Sequence, residues 1–209
     1  MFASATQFGL TQALGGATDF GDMKKILLIG SGGSGKTTLA KELSAKTGLP
    51  LFHLDAIYWR SGWVQTPKAE WISVIDRILQ EPEWIMDGNY GGTLDQRLSA
   101  CDTVILLDIS PWRCLWRVVK RRLQYSGRSR PELAPDCPER LDAAFLWWII
   151  TYRFKRLPYN LAKLSAAEQS GKTVAILRTT AQVQRFLTEA PPNNSFKPKP
   201  LRSGNGVAG

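Results

Sequence analysis

Short apolar runs alternate with amphipathic segments along most of this chain. Five runs have the length and apolar composition of buried strands: 24–30, 49–55, 83–88, 103–109 and 172–178. Five intervening segments are predicted to be helical: 36–48, 67–80, 111–123, 138–157 and 180–190, the last with Thr180 as its N-cap. Strands that alternate with helices predict a parallel sheet covered on both faces, with ligands beyond the carboxyl ends of its strands.

The chain has 209 residues and 44% hydrophobic content, which fits one domain. We expect this domain at 23–189, because Met23 stands directly before the first apolar run. Residues 1–22 are expected to be a disordered arm or a mis-assigned start, and 190–209, rich in Pro, Gly and Asn, a disordered tail.

No membrane segment, secretion signal or zinc site is predicted. The longest apolar run, 143–150, is too short to cross a bilayer, and 1–22 lacks the features of a signal peptide. The three cysteines show no CxxC spacing and suit free thiols in a reducing compartment. A cytoplasmic location is therefore expected, with no membrane partner.

The segment GSGGSGKT at 30–37 fits the pattern G-x-x-x-x-G-K-[ST] between a predicted strand and a predicted helix. Its glycines let backbone N–H groups surround phosphate oxygens at a helix N-terminus. Lys36 is expected to reach the β- and γ-phosphates, and Thr37 to bind Mg²⁺, which makes ATP and Mg²⁺ the predicted ligands. The predicted nucleotide contacts are Gly30, Ser31, Gly32, Gly33, Ser34, Gly35, Lys36, Thr37, Thr38, Arg122 and Arg178.

Two acidic residues are candidates for the carboxylate that would hold Mg²⁺ together with Thr37. Asp87 follows the apolar residues of the third predicted strand and precedes a glycine, which suits a carboxylate that holds Mg²⁺ through water. Asp108 ends the next strand but leads directly into Pro111 and a helix. We favour Asp87, with an ordinary Asp-Gly turn as the simpler alternative.

The net charge is +9, and between 108 and 163 twelve Lys or Arg residues stand against five Asp or Glu. Arg117 and Arg121 are four apart on the predicted helix and share a face. The same charges would also suit a solvated surface or a nucleic-acid backbone. No helix-turn-helix, RRM or KH signature accompanies them.

With these segments in view, the chain resembles an adenylate-kinase-like P-loop kinase, and more narrowly the family known as DNA topology modulation protein, related to FlaR. The resemblance rests on KKILLIGSGGSGKTTLA, HLDAIYW, WIMDGNYGGTLDQRL, CLWRVVKRRL, GRSRPE, CPERLD, FLWWI and VAILRTTAQVQRFL. It implies an α/β, three-layer P-loop NTPase fold: a five-stranded parallel sheet of order 2-3-1-4-5 with helices on both faces. It also implies a lid at about 123–140, after strand four, whose arginines close over the transferring phosphoryl group.

The acceptor site is expected around HLDAIYWRSGW at 53–63. Asp55 stands where shikimate-kinase-like enzymes place a carboxylate on an acceptor hydroxyl, while Arg60 and Arg97 leave a phosphate acceptor open. Asn89 and Tyr90 replace the Phe-Pro-Arg residues of adenylate kinases, which argues against AMP. The predicted acceptor contacts are His53, Asp55, Trp59, Asn89, Tyr90, Arg97, Arg128, Arg130 and Arg140.

Three functions remain open at this point. The first is a kinase that transfers the γ-phosphoryl group of ATP to an unidentified small acceptor, with Lys36, Asp55, Asp87, Arg117 and Arg121 as catalytic residues. The second is an ATP-dependent regulatory protein associated with nucleic acid, as the name of the resembled family suggests. The third is a P-loop module that binds nucleotide without turnover.

Overall fold

The computed structural model of the chain describes residues 23–125, 132–133, 136–138 and 141–191. The strands are β1 Lys25–Gly30, β2 Leu51–His53, β3 Trp59–Arg60, β4 Val64–Gln65, β5 Trp84–Asp87, β6 Thr103–Leu107 and β7 Thr173–Leu177. The helices are α1 Lys36–Thr47, α2 Leu54–Tyr58, α3 Lys68–Gln80, α4 Leu94–Ala100, α5 Pro111–Gln124, α6 Ala143–Lys155, α7 Leu157–Gln169 and α8 Thr180–Glu189.

Five of these strands form one parallel sheet in the order β2-β5-β1-β6-β7. The predicted α/β fold is confirmed, and the order becomes 2-3-1-4-5 when only the strands of this sheet are numbered. The structure differs from the predicted topology in one detail: β3 and β4 form an additional antiparallel ribbon that was not expected.

The core lies on both faces of the sheet, as the continuous apolar strands predict. In β1, Ile26 and Leu28 pack into one cluster with residues of α1, α5 and α8. Leu27 and Ile29 pack into the other cluster, with residues of α3, α4 and α7. Successive side chains of a strand point to opposite faces, so β1 joins the two halves of the core.

The single helix expected at 138–157 is wrong in its extent. Asp142 caps α6 by accepting a hydrogen bond from the Phe145 backbone N–H at 2.7 Å, so the helix begins at Ala143. It ends before Arg156, and a new helix, α7, follows with Pro158 in its first turn. Proline lacks the N–H that a continuous helix needs and clashes with the preceding turn, which explains the break.

The second predicted strand is also shorter than expected. β2 pairs only with β5, and both strands end together at the His53–Asp87 position of their register. The chain then turns into α2, so Asp55 lies in the first turn of a short helix rather than on a strand. The expected strand over 49–55 is therefore wrong at its end, because Asp55 is helical.

The cap of the last helix lies one residue earlier than predicted. Thr179, not Thr180, is the N-cap of α8, and it forms a reciprocal capping box with Gln182. None of the described helices combines the length and apolar character needed to cross a bilayer. The predicted arm at 1–22, most of the tail from 190 and much of the lid at about 123–140 lie outside the described residues.

Candidate active site

A cleft of about 920 Å³ opens at the carboxyl ends of β1, β2 and β5. It brings together predicted residues from four separate parts of the chain. These are Gly32, Gly33, Gly35, Lys36, Thr37, Thr38, Asp55, Trp59, Asp87, Asn89, Tyr90, Arg117 and Arg121. Residues predicted for phosphate binding and residues predicted for a second substrate therefore line one space.

The loop between β1 and α1, residues 30–35, forms the phosphate side of the cleft. Gly33 has φ of 73°, and a Cβ there would lie 2.4 Å from the carbonyl oxygen of Cys114, so only glycine fits. At the start of α1, Gly35 gives no side-chain cap and the first turn has no acidic residue. Uncapped N–H groups at a helix N-terminus favour an anion.

Two further observations fit a bound phosphate chain. The Ser34 hydroxyl is buried and has no hydrogen-bond partner among the described residues. The Lys36 Nζ donates to the backbone oxygens of Gly30 and Ser31, at 3.0 and 2.9 Å, and so lies along the loop. Burial lowers the pKa of Lys36, while the carboxylates of Asp87 and Asp55 oppose that shift. The donors present therefore suit nucleotide phosphates.

Asp87 and Thr37 meet at the base of this loop. The Thr37 hydroxyl donates to Asp87 Oδ2 at 2.7 Å, and His53 Nδ1 lies 3.3 Å from the same oxygen. Burial tends to raise the pKa of Asp87, but the hydrogen bond from His53, the charge of Lys36 and the hydrogen bond from Thr37 lower it. The result is an ionised carboxylate beside a hydroxyl, an oxygen pair that suits Mg²⁺.

The competing acid, Asp108, has a different partner. Its Oδ2 lies 3.3 Å from Arg178 Nε, and neither residue lines the cleft. The structure thus separates Asp108 from the Thr37 hydroxyl that Asp87 contacts. It also places Arg178, a predicted nucleotide contact, outside the lining. His53 likewise stands behind Asp87 rather than in the cleft, which revises its predicted contact with the acceptor.

The Asn89 side chain hydrogen-bonds to Gly30, at the start of the phosphate loop. Its Oδ1 accepts from the Gly30 backbone N–H at 3.0 Å, and its Nδ2 donates to the Gly30 carbonyl oxygen at 2.6 Å. This pair of bonds imitates the pairing of two strands just beyond the ends of β1 and β5. Asn89 therefore ties the start of the phosphate loop to the strand that carries Asp87.

Arg97 is fully buried, and its guanidinium donates all of its observed hydrogen bonds to backbone oxygens. It donates to Gly88, Asn89 and Tyr90 at 2.9, 2.7 and 2.8 Å, and to Thr93 at 3.3 Å. Burial lowers the pKa of Arg97 to about 10, which still leaves it charged at neutral pH. This placement revises the predicted contact of Arg97 with the acceptor, since its donors hold the chain at 88–93.

The segment that Arg97 holds presents Tyr90 to Asp55. Tyr90 has φ of 21°, an uncommon backbone conformation for a residue with a bulky side chain. Its hydroxyl donates to Asp55 Oδ1 at 2.7 Å, and burial together with the Asp55 charge raises the pKa of Tyr90. The phenol therefore stays protonated and orients one oxygen of Asp55, leaving the carboxylate exposed at the cleft.

The ribbon of β3 and β4 supplies aromatic walls near Asp55. Trp59 and Trp63 both line the cleft, with ring centroids 5.3 Å apart and planes at 71°. The Trp63 indole N–H donates to the Pro138 backbone oxygen at 3.1 Å, and the Gly62 N–H donates to the Asp136 backbone oxygen at 3.2 Å. The ribbon thus touches the described part of the predicted lid, across the cleft mouth.

Among the described residues, only some of the arginines that the sequence analysis named as candidates line the cleft. Arg117 Nη1 donates to the Ser34 carbonyl oxygen at 2.9 Å, and Arg121 lines the cleft close enough to oppose the charge of Lys36. Arg122 does not belong to the lining. Arg128, Arg130 and Arg140 lie outside the described residues, so their predicted contacts stay predictions.

Three lining residues on or before α6 were missed. Gly32 lies so close to this helix that a Cβ would stand 2.8 Å from Phe145 and 3.2 Å from Trp148. The two rings stack with centroids 5.9 Å apart, and Asp142 precedes them at the cleft. An Asp directly before an apolar run is an N-cap signal that could have located the helix start. The approach of α6 to the loop has no local sequence signal.

Comparisons with known proteins bear on this site only distantly. The PduV-EutP family model, described as ethanolamine utilisation – propanediol utilisation, matches residues 23–107. The chain is similar to the crystal structure of a shikimate kinase from Bacteroides thetaiotaomicron, with 17% identity and a TM-score of 0.47 over 79% of this chain and 95% of that chain. No curated protein matches the chain significantly.

A gluconokinase from Sinorhizobium meliloti 1021 is also similar in structure, with 13% identity and a TM-score of 0.46 over 80% of this chain and 89% of that chain. These similarities are too distant to assign a substrate. The resemblance to the DNA topology modulation family is not tested by them and stays a prediction.

Proposed function

We propose that this protein is an ATP-dependent kinase that transfers the γ-phosphoryl group to a hydroxyl group of a small acceptor. The observation that supports the proposal is that one cleft contains both cationic groups suited to phosphates and a carboxylate suited to a hydroxyl group. Lys36, Thr37 and Arg117 stand at the phosphate loop, and Asp55 stands at the same cleft beside aromatic walls. Phosphoryl transfer needs fixed cations on the phosphates and a group that positions the nucleophile.

The nucleotide end of the proposal rests on the donors around residues 30–37. The Ser34 hydroxyl is buried in the loop without a hydrogen-bond partner among the described residues, and the start of α1 has no side-chain cap. The Lys36 ammonium lies along the loop and lines the cleft. Thr37 and Asp87 would hold Mg²⁺, which supplies neutralisation of phosphate charge when bound. Arg117, fixed on Ser34, keeps a further positive charge at the loop.

The transfer itself follows from the positions of Asp55 and the cations. The acceptor oxygen forms a bond to the γ-phosphorus as the bond from that phosphorus to the β,γ-bridging oxygen breaks. ADP leaves with the electron pair of the broken bond, and the acceptor proton passes to the Asp55 carboxylate late in the reaction. Tyr90, which stays protonated, holds one oxygen of Asp55 and leaves the other for the acceptor.

The acceptor end favours a hydroxyl-bearing metabolite or nucleoside over a phosphorylated one. Among the described residues that line the cleft, the cations are Lys36, Arg117 and Arg121, and all belong to the phosphate side. Arg97 donates its hydrogen bonds to backbone oxygens, and Arg60 pairs with Glu70 and does not line the cleft. An acceptor phosphate would need arginines of its own, whereas Asp55 suits an O–H group.

The experiment is an acceptor panel in which ADP release from ATP is measured with sugars, cyclitols, hydroxy acids, amino alcohols and nucleosides. We expect one class to stimulate ADP release and to be recovered as its phosphate ester. Stimulation by nucleoside monophosphates alone would contradict a hydroxyl acceptor. Basal ATP hydrolysis that no small molecule stimulates, but that DNA raises with a steep salt dependence, would favour the nucleic-acid alternative.

A further inference from the structure

A distinct surface lies on the outer side of the helices that follow β6. Among the described residues, seven large hydrophobic side chains on α5, α6 and α7 are exposed, and only Val64 is exposed elsewhere. We call these seven the apolar wall: Trp112, Trp116, Val119, Leu123, Trp147, Phe154 and Tyr159. α5 packs against α6, and α6 packs against α7, so the three helices adjoin. α5 packs in the core cluster of Leu28 and α7 in the core cluster of Leu27, on the other face of the sheet, so the contact surface is the part of the wall on α5 and the adjoining α6.

The part of the wall on α5 is a regular stripe. Its members at 112, 116, 119 and 123 follow helical spacing, and Trp112 and Leu123 are 76% and 74% exposed. The opposite face of α5 is already used, because Cys114 and Val118 are buried against the loop at Gly33. The helix therefore has two apolar faces, of which the described part of the chain covers only one.

Exposed cations lie on α5 and α6, the two helices that carry most of the wall. On α5, Arg113 and Lys120 are exposed, and the Lys120 ammonium lies 5.2 Å from the centre of the Trp116 ring. Phe154 on α6 is 71% exposed and stands between Arg153 and Lys155, which are exposed as well. Neither α5 nor α6 contains an acidic residue. The partner of this surface must therefore accept apolar side chains and positive charge together.

We propose that the apolar wall docks on the surface of an anionic lipid bilayer. Trp, Phe and Leu side chains gain by entering the boundary between headgroups and acyl chains, and Lys and Arg gain from acidic headgroups. A second copy of this chain would cover the apolar groups but oppose like charges. A nucleic acid would attract the cations and stack on some rings, but leaves Val119 and Leu123 without an apolar partner.

This contact differs from the membrane partner that the sequence analysis excluded. A membrane-spanning segment needs an apolar run long enough to cross the bilayer, whereas a surface contact needs only one exposed apolar face with cations beside it. Arg117, on the inner side of the same helix, donates to Ser34 of the phosphate loop. The docking face and the cleft are thus two sides of α5, and the proposal does not depend on the proposed kinase activity.

The test is flotation of the full chain with vesicles of phosphatidylcholine alone or with about one-third phosphatidylglycerol, at physiological salt. We expect binding to the anionic vesicles only, weaker at high salt. The double variant Trp112→Ser, Trp116→Ser and the double variant Arg113→Glu, Lys120→Glu should each reduce the fraction bound by about tenfold or more.

Matched controls stand on other faces of the molecule. Val64→Ser removes an exposed hydrophobic residue outside the wall, and Lys68→Glu with Arg77→Glu makes the same charge change on α3. Both should bind vesicles like the unchanged protein, and all variants should keep nucleotide binding, which shows that they fold. Absence of wild-type binding to anionic vesicles overturns the proposal. It is also overturned if the Trp112 and Trp116 variant binds vesicles normally but loses self-association or single-stranded DNA binding.

Discussion

On the phosphate side of the cleft, Lys36 and Thr37 stand within eight residues of Gly30, and a continuous loop and helix hold them in place. On the acceptor side, Asp55 receives its hydrogen bond from Tyr90, thirty-five residues away, and Arg97 holds that part of the chain from a third element. One side is built from a local motif, and the other is assembled from elements that meet only in the folded protein.

This difference separates two kinds of specificity. Phosphates are alike in all nucleoside triphosphates, so a fixed arrangement of backbone N–H groups and one lysine can bind them wherever the motif occurs. The acceptor site uses a buried arginine, an uncommon backbone conformation at Tyr90 and the ribbon tryptophans. These parts come from several elements, and Asn89, which Arg97 holds, connects them to the phosphate loop at Gly30.

The largest expected effect is on stability, at Arg97. Replacing Arg97 by Met leaves backbone oxygens at 88–93 without their buried donor, so the unfolding free energy should fall by about 3–5 kcal/mol. Chemical denaturation measures this change. The matched control is Arg60→Met, which removes an exposed pair with Glu70 and should cost at most about 1 kcal/mol. Equal losses for both variants would show that Arg97 does not hold this segment.

The phosphate side is tested by Lys36→Ala. Removing a preorganised cation from the transferring phosphoryl group should lower turnover by about 100- to 1,000-fold. Steady-state ADP release measures the loss. Lys68→Ala, an exposed lysine on α3, is the control and should leave turnover unchanged. Turnover retained in Lys36→Ala would mean that the loop at 30–37 does not serve phosphoryl transfer.

The acceptor side is tested by Asp55→Asn, which keeps the shape of the side chain and removes its charge. Acceptor-dependent turnover should fall by about 100-fold, because proton acceptance is lost. Nucleotide affinity, measured by calorimetry, should stay within about threefold of the unchanged protein. Asp76→Asn, on the exposed side of α3, provides the matched control. An equal loss of nucleotide affinity in Asp55→Asn would place Asp55 on the phosphate side instead.

The smallest expected effect lies at the connection between the two sides. Asn89→Ala removes the two hydrogen bonds to Gly30, at 3.0 and 2.6 Å, that tie the phosphate loop to β5. Nucleotide affinity should fall by about tenfold, which corresponds to roughly 1.4 kcal/mol. Binding calorimetry checks this value. If the affinity is unchanged while acceptor KM rises, Asn89 contacts the acceptor, as the sequence analysis predicted.

The sequence allowed the fold to be predicted and the position of the loop at 30–35 to be located, because both depend on local signals. The apolar runs at 24–30 and 103–109 match β1 and β6 closely, and the motif at 30–37 identifies the loop. Helix boundaries near prolines and caps were less accurate. The expected helix at 138–157 became two, since the cap at Asp142 and Pro158 were not taken as boundaries.

The acceptor side could be predicted only in part, because its residues take their roles from contacts between distant segments. Asp55 and Trp59 lie at the cleft as expected, but Arg97 turned inward to backbone oxygens. A charged residue near a strand end is equally suited to a ligand or to a buried loop, and its surroundings decide between them. The approach of Phe145 to Gly32 likewise depends on how α6 returns to the loop.

The central claim is that both sides of the cleft take part in one transfer, and the most direct measurement follows the phosphoryl group itself. With ATP labelled at the γ-phosphate and the stimulating acceptor from the panel, we expect most label in the phosphorylated acceptor. In Asp55→Asn the amount transferred to the acceptor should fall by about 100-fold, with nucleotide affinity preserved. Label that appears only as inorganic phosphate, at the same rate in both proteins, would contradict the account.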